Sequence, residues 1–271
     1  MQIDKILVVY DPTTEAQPAL ERAAIIAGNE GSQVHLYSCV YSDTVPAGQD
    51  SADEAQVVAA QQAIIDAAAA PLVEQGITVS TEVEWARDWY LAVVKAAERN
   101  GSGAVLKSSH KHSKGERVLK KSSDWTLIRE CASPVLLVKS EATREPRKVL
   151  AAIDTGSDSE AYGQLNENIL SFCKRYIGSD NADIYFVNAY KDLPSRPDRG
   201  TLLRTCGIDG DKVFIEMGEP DKVIVDKAQE LDVNLVVIGN SARSGLSALV
   251  KSNTAEKVLD KLECDLLAMT S

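Results

Sequence analysis

A repeat the size of a whole domain constrains this chain more than any other feature. Lys5-Ile-Leu-Val-Val-Tyr-Asp11 returns 143 residues later as Lys148-Val-Leu-Ala-Ala-Ile-Asp154. The closing segments match as well: Arg129-Glu-Cys131-Ala-Ser-Pro134-Val-Leu-Leu-Val138 and Leu262-Glu-Cys264-Asp-Leu-Leu-Ala-Met269. On this reading Cys131 and Cys264 are counterparts that each lead into an apolar strand. A repeat of this length can bury its own core. The 271 residues are therefore read as a first domain over 1–140, a polar linker over 141–147 that contains Pro146, and a second domain over 148–271.

Within each copy, short apolar runs alternate with helical spacing. Strands are predicted at 5–10, 34–41, 77–85, 104–107 and 135–138, with helices at 15–28, 51–74 (interrupted near Pro71), 88–100 and 122–131. In the second copy strands are predicted near 148–153, 183–190, 212–217, 234–238 and 266–269, and helices near 159–176, 219–231 and 253–262. Ile77 to Trp85 alternates apolar with polar residues, which marks an edge strand with one wet face. Between the second and third strands the first copy has a long helix, whereas the second has only Lys191–Gly210, with room for a short helix near 201–205. The order βαβα implies a parallel sheet with right-handed crossovers. The expected fold class is α/β: two tandem Rossmann-like (HUP-type) domains, each a five-stranded parallel sheet in the order 3-2-1-4-5, packed as a pseudo-dimer.

Charge and cysteine usage narrow the function classes. The net charge of −11 argues against non-specific nucleic-acid binding, which needs a basic footprint. No run of eighteen apolar residues is evident and the N-terminus leads straight into a strand, so no membrane span or signal peptide is expected and the location is read as cytoplasmic. Five cysteines stand singly without a Cys-x-x-Cys pair, the pattern of buried reduced thiols rather than a zinc ribbon.

In an open parallel sheet a ligand binds beyond the carboxyl ends of the strands, where the strand order reverses. In the second half two loops meet there, Asp154-Thr-Gly-Ser-Asp158 and the stretch from Gly239 to Glu256. Glycines let backbone approach an anion, and a helix starting near Thr254 offers unpaired N–H groups to a phosphate. The candidate ligand or nucleotide site comprises Asp154, Val187, Ile238, Gly239, Ser241, Ala242, Gly245, Ser252, Asn253 and Thr254.

These residues resemble the universal stress proteins. Nucleotide-binding members of that family carry Gly-x2-Gly-x9-Gly-Ser/Thr after the fourth strand, then a helix and an apolar last strand. The second half is similar in Gly218-Glu-Pro220, Leu235-Val-Val-Ile-Gly239, Arg243-Ser-Gly245-Leu-Ser, Thr254-Ala-Glu-Lys-Val258 and Cys264. It departs at Ala242, where the second glycine would stand, and at Ser252-Asn253, where the final Gly-Ser/Thr would stand; each change adds a β-carbon near the phosphates. Asp154 matches the aspartate that recognises the base in ATP-binding members. The first half resembles the diverged repeat of the tandem, E-type members in Leu106-Lys107-Ser-Ser-His110-Lys-His112 and Asp124-Trp125-Thr-Leu-Ile-Arg129-Glu-Cys131. The resemblance implies a cytoplasmic protein of stress tolerance, including resistance to DNA damage, with ATP or another nucleotide as the ligand to consider.

In the first half Lys107, His110, Lys120 and Lys121 are read as standing where the glycines and the serine would be. They form either an anion site made of side chains or a solvated loop that fills an unused pocket; the second reading is preferred. His110 and His112 could share a face, but structural zinc takes four protein ligands, and no metal site is expected. The second half has no histidine, so no Ser-His-Asp system can be built within it. Asp154, Asp158 and Glu256 could hold Mg²⁺ against phosphates, although helix-start and helix-surface roles explain two of them more simply. Trp125 and Ile128 are expected to pack on the sheet, and Trp85, Trp89 and Tyr90 to serve core or interface packing.

The sequence thus points to a non-catalytic, ligand-sensing or scaffolding protein. It leaves open ATP binding with slow Mg-dependent hydrolysis in the second domain, and binding of a non-nucleotide anionic or apolar ligand. The apolar last strands suggest pairing between the two halves. A homodimer is left open; no membrane or nucleic-acid partner is expected.

Overall fold

A computed structural model describes residues 3–40, 54–109, 117–139, 147–155, 160–175, 177, 182–240 and 254–270. The chain divides into two compact units, 2–139 and 140–271.

The first unit runs β1 Lys5–Tyr10, α1 Pro18–Glu30, β2 Gln33–Val40, α2 Glu54–Glu74, β3 Val79–Trp85, α3 Trp89–Asn100, β4 Ala104–Ser108, α4 Arg117–Glu130 and β5 Val135–Val138. Its sheet is wholly parallel in the order β3-β2-β1-β4-β5. The second unit runs β6 Arg147–Ala152, α5 Glu160–Lys174, β7 Ala182–Tyr190, α6 Arg199–Cys206, β8 Val213–Met217, α7 Pro220–Glu230, β9 Leu235–Gly239, α8 Thr254–Lys261 and β10 Asp265–Met269, with 3₁₀ turns at Leu193–Ser195 and Gly210–Lys212. Its order, β8-β7-β6-β9-β10, is the same topology. Each unit is the expected Rossmann-like sheet in the order 3-2-1-4-5.

The central strands are apolar runs because both faces are covered by crossover helices. Ile6, Leu7 and Val8 are fully buried, as are Leu150 and Ala151. Lysines fix the amino ends alike: Lys5 Nζ donates to Asn100 O and Lys148 Nζ to Leu231 O, each at 3.0 Å. The turn after α3 takes a left-handed glycine, Gly101 at φ 61°, and the matching turn after α7 forces Asp232 to φ 50°, where a short polar side chain tolerates what most residues avoid.

Several boundaries differ from the sequence reading. α2 continues through Pro71. The proline sits in the last turn, so its missing N–H costs one bond, and Gln75 and Ile77 close the end onto Pro71 O and Leu72 O. Gly76 at φ 82° then breaks the direction, and β3 starts at Val79 rather than 77. α4 begins at 117 rather than 122. By length and composition α2 could cross a membrane, although Gln61, Gln62 and Asp66 interrupt its apolar residues. Here Gln61, Ile65, Ala69 and Leu72 form its buried stripe. Of the pair expected to pack on the sheet, Ile128 is buried, whereas Trp125 is only half-buried beside the buried Leu127.

Strand register makes the repeat a residue-by-residue correspondence. Ile6 pairs with Ala104 in the first unit as Val149 pairs with Leu235 in the second. Val105 pairs with Val135 as Val236 pairs with Leu266. Ala104 therefore corresponds to Leu235, Lys107 to Ile238, Ser108 to Gly239 and Val135 to Leu266. Two alignments made from the sequence are corrected by this. Cys131 corresponds to Leu262, and Cys264 to Ser133, because the cysteines lie two residues out of register. Lys107 stands at the place of Ile238, and Ser108, not Lys107, takes the place of the first glycine.

Candidate ligand cleft

At the carboxyl ends of β6, β7 and β9 the second unit holds an open cleft of about 140 Å³. Ala152, Ile153 and Asp154 enter from the end of β6, Val187 and Ala189 from β7, and Ile238 and Gly239 from β9. The α5 residues Tyr162, Leu165, Asn166 and Ile169 form one wall; Pro220 and Ile224 of α7 and Thr254 and Ala255 at the start of α8 complete the lining. Alternate residues of a strand share a face, which brings Val187 and Ala189 to the same floor. A β-carbon at Gly239 would lie 3.4 Å from the Leu165 side chain.

Of the residues proposed from sequence, Asp154, Val187, Ile238, Gly239 and Thr254 meet around this cleft. Ser241, Ala242, Gly245, Ser252 and Asn253 lie outside the described residues. Asp154 is exposed at the rim. Its backbone is held by one side chain: the Asp154 N–H donates to Asn166 Oδ1 at 3.1 Å, and Asn166 Nδ2 donates to Asp154 O at 2.6 Å. Beneath, the buried Asn188 donates to Ile153 O at 3.0 Å and to Thr155 Oγ1 at 3.3 Å. Beside the helical walls Lys261 Nζ donates to Asp221 Oδ2 at 2.7 Å; the Lys261 ammonium holds the Asp221 carboxyl below the usual range.

The α5 wall was not singled out from sequence. Its signal was present, because Tyr162, Leu165, Asn166 and Ile169 follow the i, i+3, i+4, i+7 stripe of one helix face. What the pattern alone could not show is that this face covers a cleft rather than solid core.

At the matching end of the first unit the described side chains meet one another. At the position of Ile238, Lys107 Nζ lies 2.9 Å from Asp124 Oδ1, donates to Ser108 O at 2.9 Å and sits 5.1 Å from the Trp89 ring centroid. Ser109 Oγ donates to Asp124 Oδ2 at 3.2 Å. The Lys107 and Asp124 side chains are only 13 % and 10 % exposed. By register Asp124 corresponds to Ala255, Trp89 to Pro220, Tyr37 to Val187 and Cys39 to Ala189, and each is the larger or more polar residue of its pair. Tyr37 is fully buried and donates to Glu84 Oε2 at 3.1 Å. Cys39 Sγ donates to Ala86 O at 3.3 Å, and burial pushes its pKa up to about 12. At the place of Gly239, the buried Ser108 hydroxyl accepts the N–H of Ala19 in the first turn of α1 at 3.1 Å.

Of the first-half residues weighed for an anion site, Lys107 has its charge met by Asp124 within the unit. His110 lies outside the described residues, and Lys120 and Lys121 fall on α4 at positions whose side chains are not described. His112 and Asp158 are also outside. Among the described residues no group of three or more His, Cys, Asp or Glu side chains could hold a metal ion. His35 is buried at the other end of the sheet, with Nδ1 2.8 Å from Ser80 Oγ and Nε2 3.1 Å from Glu82 Oε2.

The family model described as the universal stress protein family matches residues 2–139 and 201–269. The chain belongs to the universal stress protein family. Across its whole length it is similar to Universal stress protein E of Escherichia coli, at 30% identity over 97% of this chain and 93% of that protein. Haemophilus influenzae has a Universal stress protein E homolog that is 27% identical over 99% of this chain and 98% of its own length. Among solved structures, a Pseudomonas aeruginosa protein described as a universal stress protein superposes with a TM-score of 0.81 at 30% identity, covering 98% of this chain and 93% of the other. Both units thus carry the universal stress fold, and at these six positions the first unit carries the larger or more polar side chain.

Proposed function

We propose that this universal stress protein is a non-catalytic sensor in cytoplasmic stress tolerance, which takes one small-molecule ligand per chain in the cleft of the second unit. One observation supports this most. The cleft lies where an open parallel sheet binds its ligands, while six equivalent positions of the first unit are filled from within. The lining suits a nucleotide, ATP or another. Val187, Ala189 and Ile238 offer an apolar floor to a flat ring, Asp154 offers a polar rim, and the start of α8 at Thr254 offers helix N–H groups to an anionic part. The described ionisable lining groups are Asp154 and Tyr162, a set suited to holding a ligand rather than transferring protons. The ligand would then act by its presence, through a partner that reads the occupied state.

Native mass spectrometry of the purified protein, followed by titration with ATP, tests the reading. One bound molecule per chain is expected, lost on Ala189→Phe, which fills the floor. Two sites per chain, or binding unaffected by Ala189→Phe, would overturn the placement. Mg-dependent ATP turnover that disappears in Asp154→Ala would replace the sensor with a slow hydrolase.

A further inference from the structure

Both units pin the aspartate that follows their first strand, and they do it with different side chains. In the first unit the Asp11 N–H donates to Gln17 Oε1 at 3.2 Å and Gln17 Nε2 donates to Asp11 O at 2.7 Å. In the second, Asn166 closes the same two-bond ring on Asp154 at 3.1 and 2.6 Å. Asp11 and Asp154 occupy equivalent places, so the ring answers a shared need: the backbone leaving the strand must have its donor and acceptor met.

The source of the side chain is where the units part. Gln17 lies just before α1, six residues beyond Asp11, and is itself buried. Its ring joins loop to loop. Asn166 lies inside α5, twelve residues beyond Asp154, among Leu165 and Ile169 on the cleft wall. Its ring joins the rim of the cleft to its wall. The carboxamide takes the Asp154 N–H and one lone pair of its carbonyl, so the backbone of this rim residue is tied to α5. Resting on the proposed ligand site, we propose that Asn166 is the positioning residue of the cleft: it sets the distance and direction of Asp154 relative to the α5 wall and so sets ligand affinity. A rim tied at two points to a helix is held in place before the ligand arrives, which lowers the ordering cost of binding.

The experiment uses the full chain with Asn166→Leu, a near-isosteric side chain that makes neither bond, and Asn166→Asp, which keeps the acceptor for the Asp154 N–H but sets an oxygen against Asp154 O. The first readout needs no ligand. Hydrogen exchange at the Asp154 amide should speed up by at least about tenfold in Asn166→Leu, with the amides of Leu165, Ile169 and Leu170 unchanged. The second is ATP titration: the dissociation constant should rise on the order of tenfold in both variants, at a melting temperature close to that of the parent. Exchange at Asp154 unchanged in Asn166→Leu would overturn the pinning. Faster exchange with ATP bound as tightly as by the parent would overturn the positioning role and leave the ligand site standing. A parent chain that takes up no ATP would instead remove the site reading, and the exchange result would then decide the pinning by itself.

Discussion

The carboxyl ends of the two sheets show what one fold can do with one set of positions. In the second unit Val187, Ala189, Pro220, Ile238, Gly239 and Ala255 leave a cleft. In the first, Tyr37, Cys39, Trp89, Lys107, Ser108 and Asp124 occupy the equivalent places. The backbone registers are the same, so at these six positions the described difference is one of side chains. Filling a binding site this way needs more than bulk. A buried lysine must be met by a carboxylate, and Asp124 does so at 2.9 Å, with Ser108 O as a second partner. The Trp89 face adds a cation–π contact at 5.1 Å. The first unit carries an internal counter-ion where the second has an open cleft.

The comparison breaks most decisively at that ion pair. Asp124→Ala installs the second unit's residue but leaves Lys107 buried without its partner. Loss of one member of a buried pair costs about 3–5 kcal/mol, and urea unfolding of the first unit should fall within that range. Lys107→Ile with Asp124→Ala installs both residues of the open cleft and should recover most of the loss, because no buried charge remains. A double variant no more stable than Asp124→Ala alone would show that the pair is not what fills the end. Adding Trp89→Ala to the recovered double variant should then raise ATP stoichiometry towards two per chain, if the filled side chains are all that separates the units.

How much of this could be read from sequence follows from what periodicity records. Alternating apolar runs and helical stripes report which residues face a core, so the ten strands were legible, whereas the strand order came with the fold class. Position within the repeat was less legible. The cysteines of the closing segments stand alike in sequence, but strand register gives Cys264 the place of Ser133. Lys107 was recognised as a cation in a degenerate loop. Its partner lies seventeen positions along the chain on α4, a distance that no local pattern spans. Asn166 was equally hidden: a carboxamide in a helix gives no sign that it turns back on a strand end.

A smaller effect is expected where Ser108 replaces Gly239. α1 begins with Pro18 and has no side-chain cap from Gln17, whose carboxamide is engaged on Asp11. Ser108, from the far side of the chain, accepts the Ala19 N–H instead. Ser108→Ala should therefore cost about 1 kcal/mol, the usual value of a lost helix cap, read by chemical denaturation. In the second unit Gly239→Ala should cost less in stability, since the added methyl meets only Leu165 side-chain atoms at 3.4 Å. It should nonetheless narrow the cleft and weaken ATP binding. Equal effects of the two changes on stability would mean that Ser108 merely fills space.

The opposite ends of the two sheets sharpen the comparison through pH. His35 and Glu82 of the first unit stand where Tyr185 and Phe214 stand in the second, whose rings lie 6.4 Å apart. Burial holds the His35 pKa below its ordinary 6.5, against the opposing pull of the Glu82 carboxylate, with Lys5 and Arg99 adding to the lowering. Burial alone would raise Glu82, but Arg99, Asn100 and His35 outweigh it and hold that carboxyl low. Unfolded His35 therefore binds a proton at a higher pH than folded His35. Stability of the first unit should be complete above 6.5 and fall as pH drops from 6.5 towards the folded value. Glu82 contributes only lower, because its stabilisation persists until pH falls through its own depressed value. His35→Tyr, which borrows the second unit's residue, should flatten the slope below pH 6.5 without moving ATP binding in the second unit. The check is denaturant midpoints across that window, followed by a probe confined to each unit. A slope that survives His35→Tyr would assign the pH response to other groups, and a slope of equal size in the second unit would erase the distinction between the two ends.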